Sequence, residues 1–148
     1  MTRQGFCDGG CQGGVAAWAW MIFPQSIGTK PDSNSNVLPD PPHTNNRAEL
    51  YAALNLLVTW GHESLVIHSD SQYVIYGVTK WMDGWIKNGW RTSQRRPVEN
   101  QDLWRRIHAL RVPWVGWKWT ARDSDPRNTM VDALVNEVFR CLPSSASS

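Results

Sequence analysis

The apolar positions of this chain change period several times, and each change marks an element. Val15 to Phe23 is an unbroken apolar run, the pattern of a strand buried on both faces. Gly5 to Cys7, before a glycine-rich stretch, reads as the end of a preceding strand, so a hairpin is predicted. From Thr44 the spacing turns helical: Leu50, Ala53, Leu54 and Leu57 fall on one face, with Thr44, Asn45 or Asn46 as the cap and Gly61 as the stop. Leu65 to His68 predicts a short buried strand ending at Asp70, where Ser69 or Asp70 caps a helix beginning near Ser71. A helix is expected from Asn100 to Leu110, then a strand from Trp114 to Thr120 with Val115, Trp117 and Trp119 on one face. Val131, Leu134, Val135 and Val138 mark a last helix, capped by Asn128 or Thr129. Pro24 to His43 holds Pro24, Pro31, Pro39, Pro41 and Pro42 and predicts mostly loop, with at most a short strand at Val37 and Leu38. The sum is one α/β domain over residues 1–142, a central mixed sheet of about five strands flanked by helices, with a disordered tail at 143–148.

Composition narrows the class without naming a chemistry. A chain of 148 residues can bury one ordinary core without disulfide or metal staples. Net charge is only +2, but from Lys80 to Arg111 eight basic residues stand against three acidic ones, a local +5 that leaves −3 elsewhere. Such asymmetry implies one part that grips a polyanion and another that collects cations. Cys7, Cys11 and Cys141 show no metal-ligand spacing and no disulfide framework, so a reducing cytoplasmic setting is expected. No signal peptide is read, and no apolar run approaches the ~20 residues of a membrane span, so a soluble protein is expected. His43, His62, His68 and His108 also lack ligand spacing and read as surface or ordinary structure.

Four carboxylates carry the candidate chemistry: Asp8 in Phe6-Cys7-Asp8-Gly9-Gly10, Glu49 in Asn45-Asn46-Arg47-Ala48-Glu49-Leu50, Asp70 in Ser69-Asp70-Ser71-Gln72, and Asp132 in Val131-Asp132-Ala133-Leu134. Two end runs that read as strands, and two lie on helical patterns that would point at those strand ends. Oxygen ligands suit Mg²⁺ or Mn²⁺, and two such ions roughly 4 Å apart can clamp the attacking and leaving oxygens of a phosphodiester displacement. Trp81, Trp85 and Trp90 lie among Lys80, Lys87, Arg91, Arg95 and Arg96, which pairs cations for phosphates with flat apolar surface for sugars. Tryptophans at near-helical spacing also suit a core, and for Trp90 both readings stand.

Taken together, Thr44 to Leu50, Ser69 to Val74, and Trp81 to Trp104 with Gly89-Trp90-Arg91-Thr92 and Asn100-Gln101-Asp102-Leu103 inside it resemble the type 1 ribonuclease H family, endonucleases that cut RNA paired with DNA. The likeness runs from about Phe6 to Phe139. It implies the ribonuclease H fold, an RNA/DNA hybrid as partner, and hydrolysis with two Mg²⁺ ions, Mn²⁺ being a possible substitute, to 5′-phosphate and 3′-hydroxyl ends. By resemblance Asp8, Glu49, Asp70 and Asp132 are the metal-binding catalytic carboxylates, while Asn45, Asn46 and Gln72 lie along the RNA strand. Thr44 and Asn100 would grip a DNA phosphate, and Trp81, Trp85, Lys87, Arg91, Arg95 and Arg96 would belong to a basic protrusion around 80–97 that holds the DNA strand. Nothing demands a protein partner or more than a monomer.

Three departures from the family pattern stand out. The glycine loop after Asp8 reads as shortened, and the third strand is barely signalled behind its prolines. The loop Ala121-Arg122-Asp123-Ser124-Asp125-Pro126 has Arg122 where many members carry a His, and an arginine cannot shuttle protons near neutral pH. Slower turnover and a flatter pH profile are therefore expected. Two alternatives compete: a hybrid-binding module that has lost catalysis, against which all four carboxylates argue, and a transposase- or integrase-like polynucleotidyl transferase, against which the basic tryptophan-rich segment argues.

Overall fold

The computed structural model describes residues 2–24 and 30–143. The expected tail falls outside them from residue 144 on. A five-stranded mixed sheet in the order β3-β2-β1-β4-β5 forms the centre, from β1 (Arg3–Gln12), β2 (Val15–Phe23), β3 (Asp32–Val37), β4 (Leu65–Ser69) and β5 (Val115–Trp119). β1 and β2, and β2 and β3, pair antiparallel; β4 runs parallel to both β1 and β5. The described residues also form five α-helices, α1 (Asn45–Trp60), α2 (Gln72–Tyr76), α3 (Met82–Lys87), α4 (Gln101–Leu110) and α5 (Pro126–Arg140), with a π-helical turn at Gly77–Trp81 between α2 and α3.

β2 divides its side chains between two cores, as alternation along a strand requires. Trp18, Trp20 and Ile22 face Leu50, Leu54 and Leu57 of α1, whereas Ala17, Ala19 and Met21 face Val131 and Val135 of α5. The sheet is thus covered on both faces, which explains the unbroken apolar run.

Several boundaries differ from the sequence expectation, each for a local reason. β1 does not stop at Cys7 but continues through Asp8, Gly9 and Gly10 to Gln12, and the turn is only Gly13-Gly14, both with positive φ. Most of the glycine-rich stretch is therefore strand, and the loop that joins β1 to β2 is this two-residue turn. Gly9 is inside the strand because α1 crosses it so closely that a Cβ would lie 2.5 Å from the backbone of Ala48 and Glu49. β3 replaces the expected loop at Asp32–Val37, ahead of the strand anticipated at Val37-Leu38, and escaped notice because an edge strand of Asp, Ser and Asn has no apolar alternation. α2 is capped by Ser71, not Ser69 or Asp70, since the Ser71 side chain accepts from the Val74 amide. α5 begins at Pro126 with Asp125 as its cap; Asn128 is inside the helix and donates to the carbonyls of Thr120 and Ala121. Thr44 does cap α1 and Gly61 does end it.

Candidate metal centre and nucleic-acid surface

The parallel register of β1 and β4 brings the first two carboxylates together. Phe6 lies opposite His68, so the same register carried two residues further sets Asp8 beside Asp70, just where the β1–β4 ladder has ended and the chains can part. Glu49 enters from the second turn of α1, over the strand that Gly9 leaves bare, and accepts a hydrogen bond from the Gly9 amide. One oxygen from each of Asp8, Glu49 and Asp70 lies within 4.8 Å of the other two. Asp132, from the second turn of α5, stands outside that trio but lines a cleft of about 410 Å³ with Glu49, Asn45, Asn46, Arg122 and Asn136, and its Oδ2 accepts from Asn136 at 3.3 Å.

This cluster is poorly satisfied by the protein alone. Asp8 is buried and its Oδ1 has no hydrogen-bond partner. Burial, with Asp70 and Asp132 adding to it, pushes the Asp8 carboxyl up to about 7. Burial and then Asp8 push Glu49 well above the ordinary range. Like charges gathered in a half-dry cleft cost free energy unless a cation joins them. The donor set is all oxygen, which fits a hard divalent ion. Arg122 supplies the nearby positive charge: its Nε donates to Asp70 Oδ2 at 3.2 Å.

A second cavity of about 750 Å³ adjoins the first through Asn45 and Asn46, which line both. Thr44, Arg47, Asn100 and Asp102 complete most of its wall. Gln72 is exposed on the first turn of α2, outside the lining of either cavity. In the basic segment Trp81 is 41% exposed, while Trp85 packs between Trp81 and Trp104, at ring distances of 6.0 and 5.1 Å. Trp90 is core, buried under Arg105. Lys87, Arg91, Arg95 and Arg96 are all exposed. Of the histidines, His68 is buried beside the site. Gln4 Oε1 meets its Nε2 at 2.6 Å and Thr120 Oγ1 its Nδ1 at 2.8 Å, and burial, with help from Arg127, lowers it to about 4. It is a neutral structural group.

Sequence reading missed Arg47 and Tyr73. Arg47 had a usable signal: it stands three residues before Leu50, on the apolar stripe of α1, where a charge needs a buried partner.

A mixed sheet with acidic side chains converging past the ends of its parallel strands, beside a basic aromatic segment, defines the class of α/β enzymes that use bound cations on nucleic-acid phosphates. The family model for RNase H matches residues 3–140, and the chain belongs to the ribonuclease H family. Ribonuclease HI of Caulobacter vibrioides is 38% identical over 140 residues, 91% of each chain. Ribonuclease H of Xanthomonas campestris is 37% identical over 130 residues, 86% of this chain and 85% of the relative. Among solved structures, RNase H1 of the archaeon Halobacterium salinarum shares the fold at a TM-score of 0.67 and 21% identity, covering 96% of this chain and 100% of its own. LC11-RNase H1 in complex with an RNA/DNA hybrid does so at 0.69 and 20%, covering 95% and 99%. No helix among the described residues is long and apolar enough to cross a membrane.

Proposed function

We propose that this chain hydrolyses the RNA strand of RNA/DNA hybrids internally, with Mg²⁺ as its working ion, leaving 5′-phosphate and 3′-hydroxyl ends. The observation that carries the reading is the convergence of Asp8, Glu49 and Asp70 oxygens within 4.8 Å around a buried carboxylate oxygen with no partner. Asp8, Glu49, Asp70 and Asp132 would hold the ions. A divalent ion held by them would supply the charge to neutralise a scissile phosphate and to lower the pKa of an attacking water. The chain's own residues bind and orient. Asn45, Asn46 and Gln72 offer groups that both donate and accept, suited to a 2′-hydroxyl, the group that tells RNA from DNA. Thr44 and Asn100 face a DNA phosphate from the adjoining cavity. Trp81, Lys87, Arg91, Arg95 and Arg96 follow the DNA strand along the protrusion at 80–97, with Trp85 backing Trp81. Residues 1–142 act as one domain, as a monomer, and the three free thiols suit a cytoplasmic setting.

The test is cleavage of a labelled hybrid in Mg²⁺, with EDTA and Asp70→Asn as controls and single-stranded RNA and duplex RNA as competing substrates. Internal cuts confined to the RNA of the hybrid are expected, with loss of at least ~10³-fold in Asp70→Asn. Tight hybrid binding without cuts would overturn the catalytic reading. In the same system Arg95→Ala with Arg96→Ala should flatten the dependence of log K on log salt by ~1 per lost phosphate contact. An unchanged slope would take the protrusion out of the interface.

A further inference from the structure

We propose that Arg47 is a positioning residue for the DNA strand: its guanidinium fixes the Asn100 side-chain amide so that an N–H, not the carbonyl oxygen, is offered to a phosphate. The inference rests on the reading above that Asn100 meets the DNA strand.

Asn100 stands at the cap position of α4 but in the left-handed region, at φ 56°, not in the extended conformation from which an asparagine ordinarily caps a helix with its side chain. It makes no such bond. Its amide is held from both sides instead, Oδ1 accepting from Arg47 Nη1 at 3.2 Å and Nδ2 donating to the Tyr73 hydroxyl at 3.0 Å. The Tyr73 oxygen also accepts from Trp104 Nε1 at 3.1 Å, so its lone pairs are both engaged by donors.

Arg47 itself has almost no freedom. Its Nη1 and Nη2 donate to Asp102 Oδ1 at 2.9 Å and Oδ2 at 2.7 Å, and its buried Nε has no partner. A guanidinium carries only donors, so the atom of Asn100 turned toward it must be the oxygen. One Nδ2 hydrogen is spent on Tyr73, and the other remains for the cavity that Thr44 and Asn45 share. A flipped amide would instead turn its oxygen toward the phosphate and repel it. Lysine cannot replace this arginine, because a single ammonium does not serve two carboxylate oxygens and an amide in one plane.

The rival role is direct phosphate binding by Arg47, and hybrid binding in EDTA separates the two. Asn100→Ala is expected to weaken binding about tenfold and Arg47→Lys several-fold. The double variant should bind within about twofold of Asn100→Ala alone, because Arg47 acts through the missing amide. The salt slope should not move with Arg47→Lys, and in Mg²⁺ KM should rise while kcat at saturating hybrid stays. Tyr73→Phe, which removes only the hydroxyl, should repeat the same non-additivity and carries the test if Arg47→Lys fails to fold. Additive losses with Asn100→Ala, or a slope reduced by ~1 on Arg47→Lys, would overturn the positioning role. Full-strength binding by Asn100→Ala would fail at the earlier step, removing Asn100 from the DNA strand.

Discussion

Two arginine–carboxylate pairs stand on either side of the strip formed by Asn45 and Asn46, and they are built in opposite ways. In Arg47–Asp102 the arginine side chain is 7% exposed and the carboxylate 61%. In Arg122–Asp70 the arginine is 71% exposed and the carboxylate 16%. The first pair joins through two parallel bonds, the second through a single Nε contact at 3.2 Å. A buried, forked guanidinium is part of the framework, whereas an exposed arginine reaching over a half-buried carboxylate is a counter-charge that another cation can replace. The same chemistry thus builds a wall in the cavity of Thr44 and Asn100 and a provisional cover over the acidic cluster.

The widest separation between the pairs is expected in stability. Arg47→Met should cost about 2 kcal/mol in urea unfolding, because the bonds of a buried guanidinium to Asn100 Oδ1 and to both oxygens of the more exposed Asp102 are lost together. Arg122→Met should stay under about 1 kcal/mol, as exposed pairs do. Equal losses would erase the distinction.

The distinction could not have been drawn from sequence, although much else could. β2, the core of α1 and the capping Thr44 were legible because long apolar periodicity and helix caps are local signals. The three converging acids were legible only through the strings around them, since spacing does not reveal that β1 and β4 run side by side. What misled was context. Gly9 and Gly10 read as a turn, yet they sit in a strand, Gly9 serving the close approach of α1. Asn128 read as a cap, yet Asp125 and Pro126 had already started α5. Trp90 could not be assigned until Arg105 and α4 were seen to cover it. The place of Arg47 on the apolar stripe of α1 hints at burial, but its partners lie more than fifty residues away and no local pattern names them.

A smaller effect sharpens the contrast through pH. Asp8 titrates at about 7 in the folded chain and near 3.8 when unfolded, so the folded state binds the proton more tightly. Its contribution to stability is full below the unfolded value and is lost as pH rises through about 7. Asp8→Asn does not titrate, and in metal-free buffer it should be about 1–2 kcal/mol more stable than the parent at pH 8, the gain fading by pH 4. Adding Mg²⁺ should reverse the order, since only the parent keeps the full ligand set. In the other pair the sign is opposite: Arg47 holds Asp102 below the ordinary range, so that carboxylate contributes above its unfolded value and loses its contribution only as pH falls through the folded one. A parent whose metal-free stability is flat from pH 4 to 8 would contradict the Asp8 half of this argument.

The smallest expected effect is the most informative about Arg122. Its guanidinium stays charged at every working pH, and its bond to Asp70 raises its pKa further. It can offset charge beside the cleft but cannot take up and release a proton during turnover. Arg122→His puts a titrating ring at the same place, next to Asp70, where the carboxylate favours the protonated imidazolium. Cleavage should then rise a few-fold near pH 8, and its pH profile should acquire an inflection close to the imidazole range that the parent lacks. Arg122→Gln separates charge from proton transfer, because it removes the first without supplying the second. If the histidine variant cuts at the parent's rate with the parent's pH dependence, Arg122 is a cover over Asp70 and nothing in the reaction waits on a proton there.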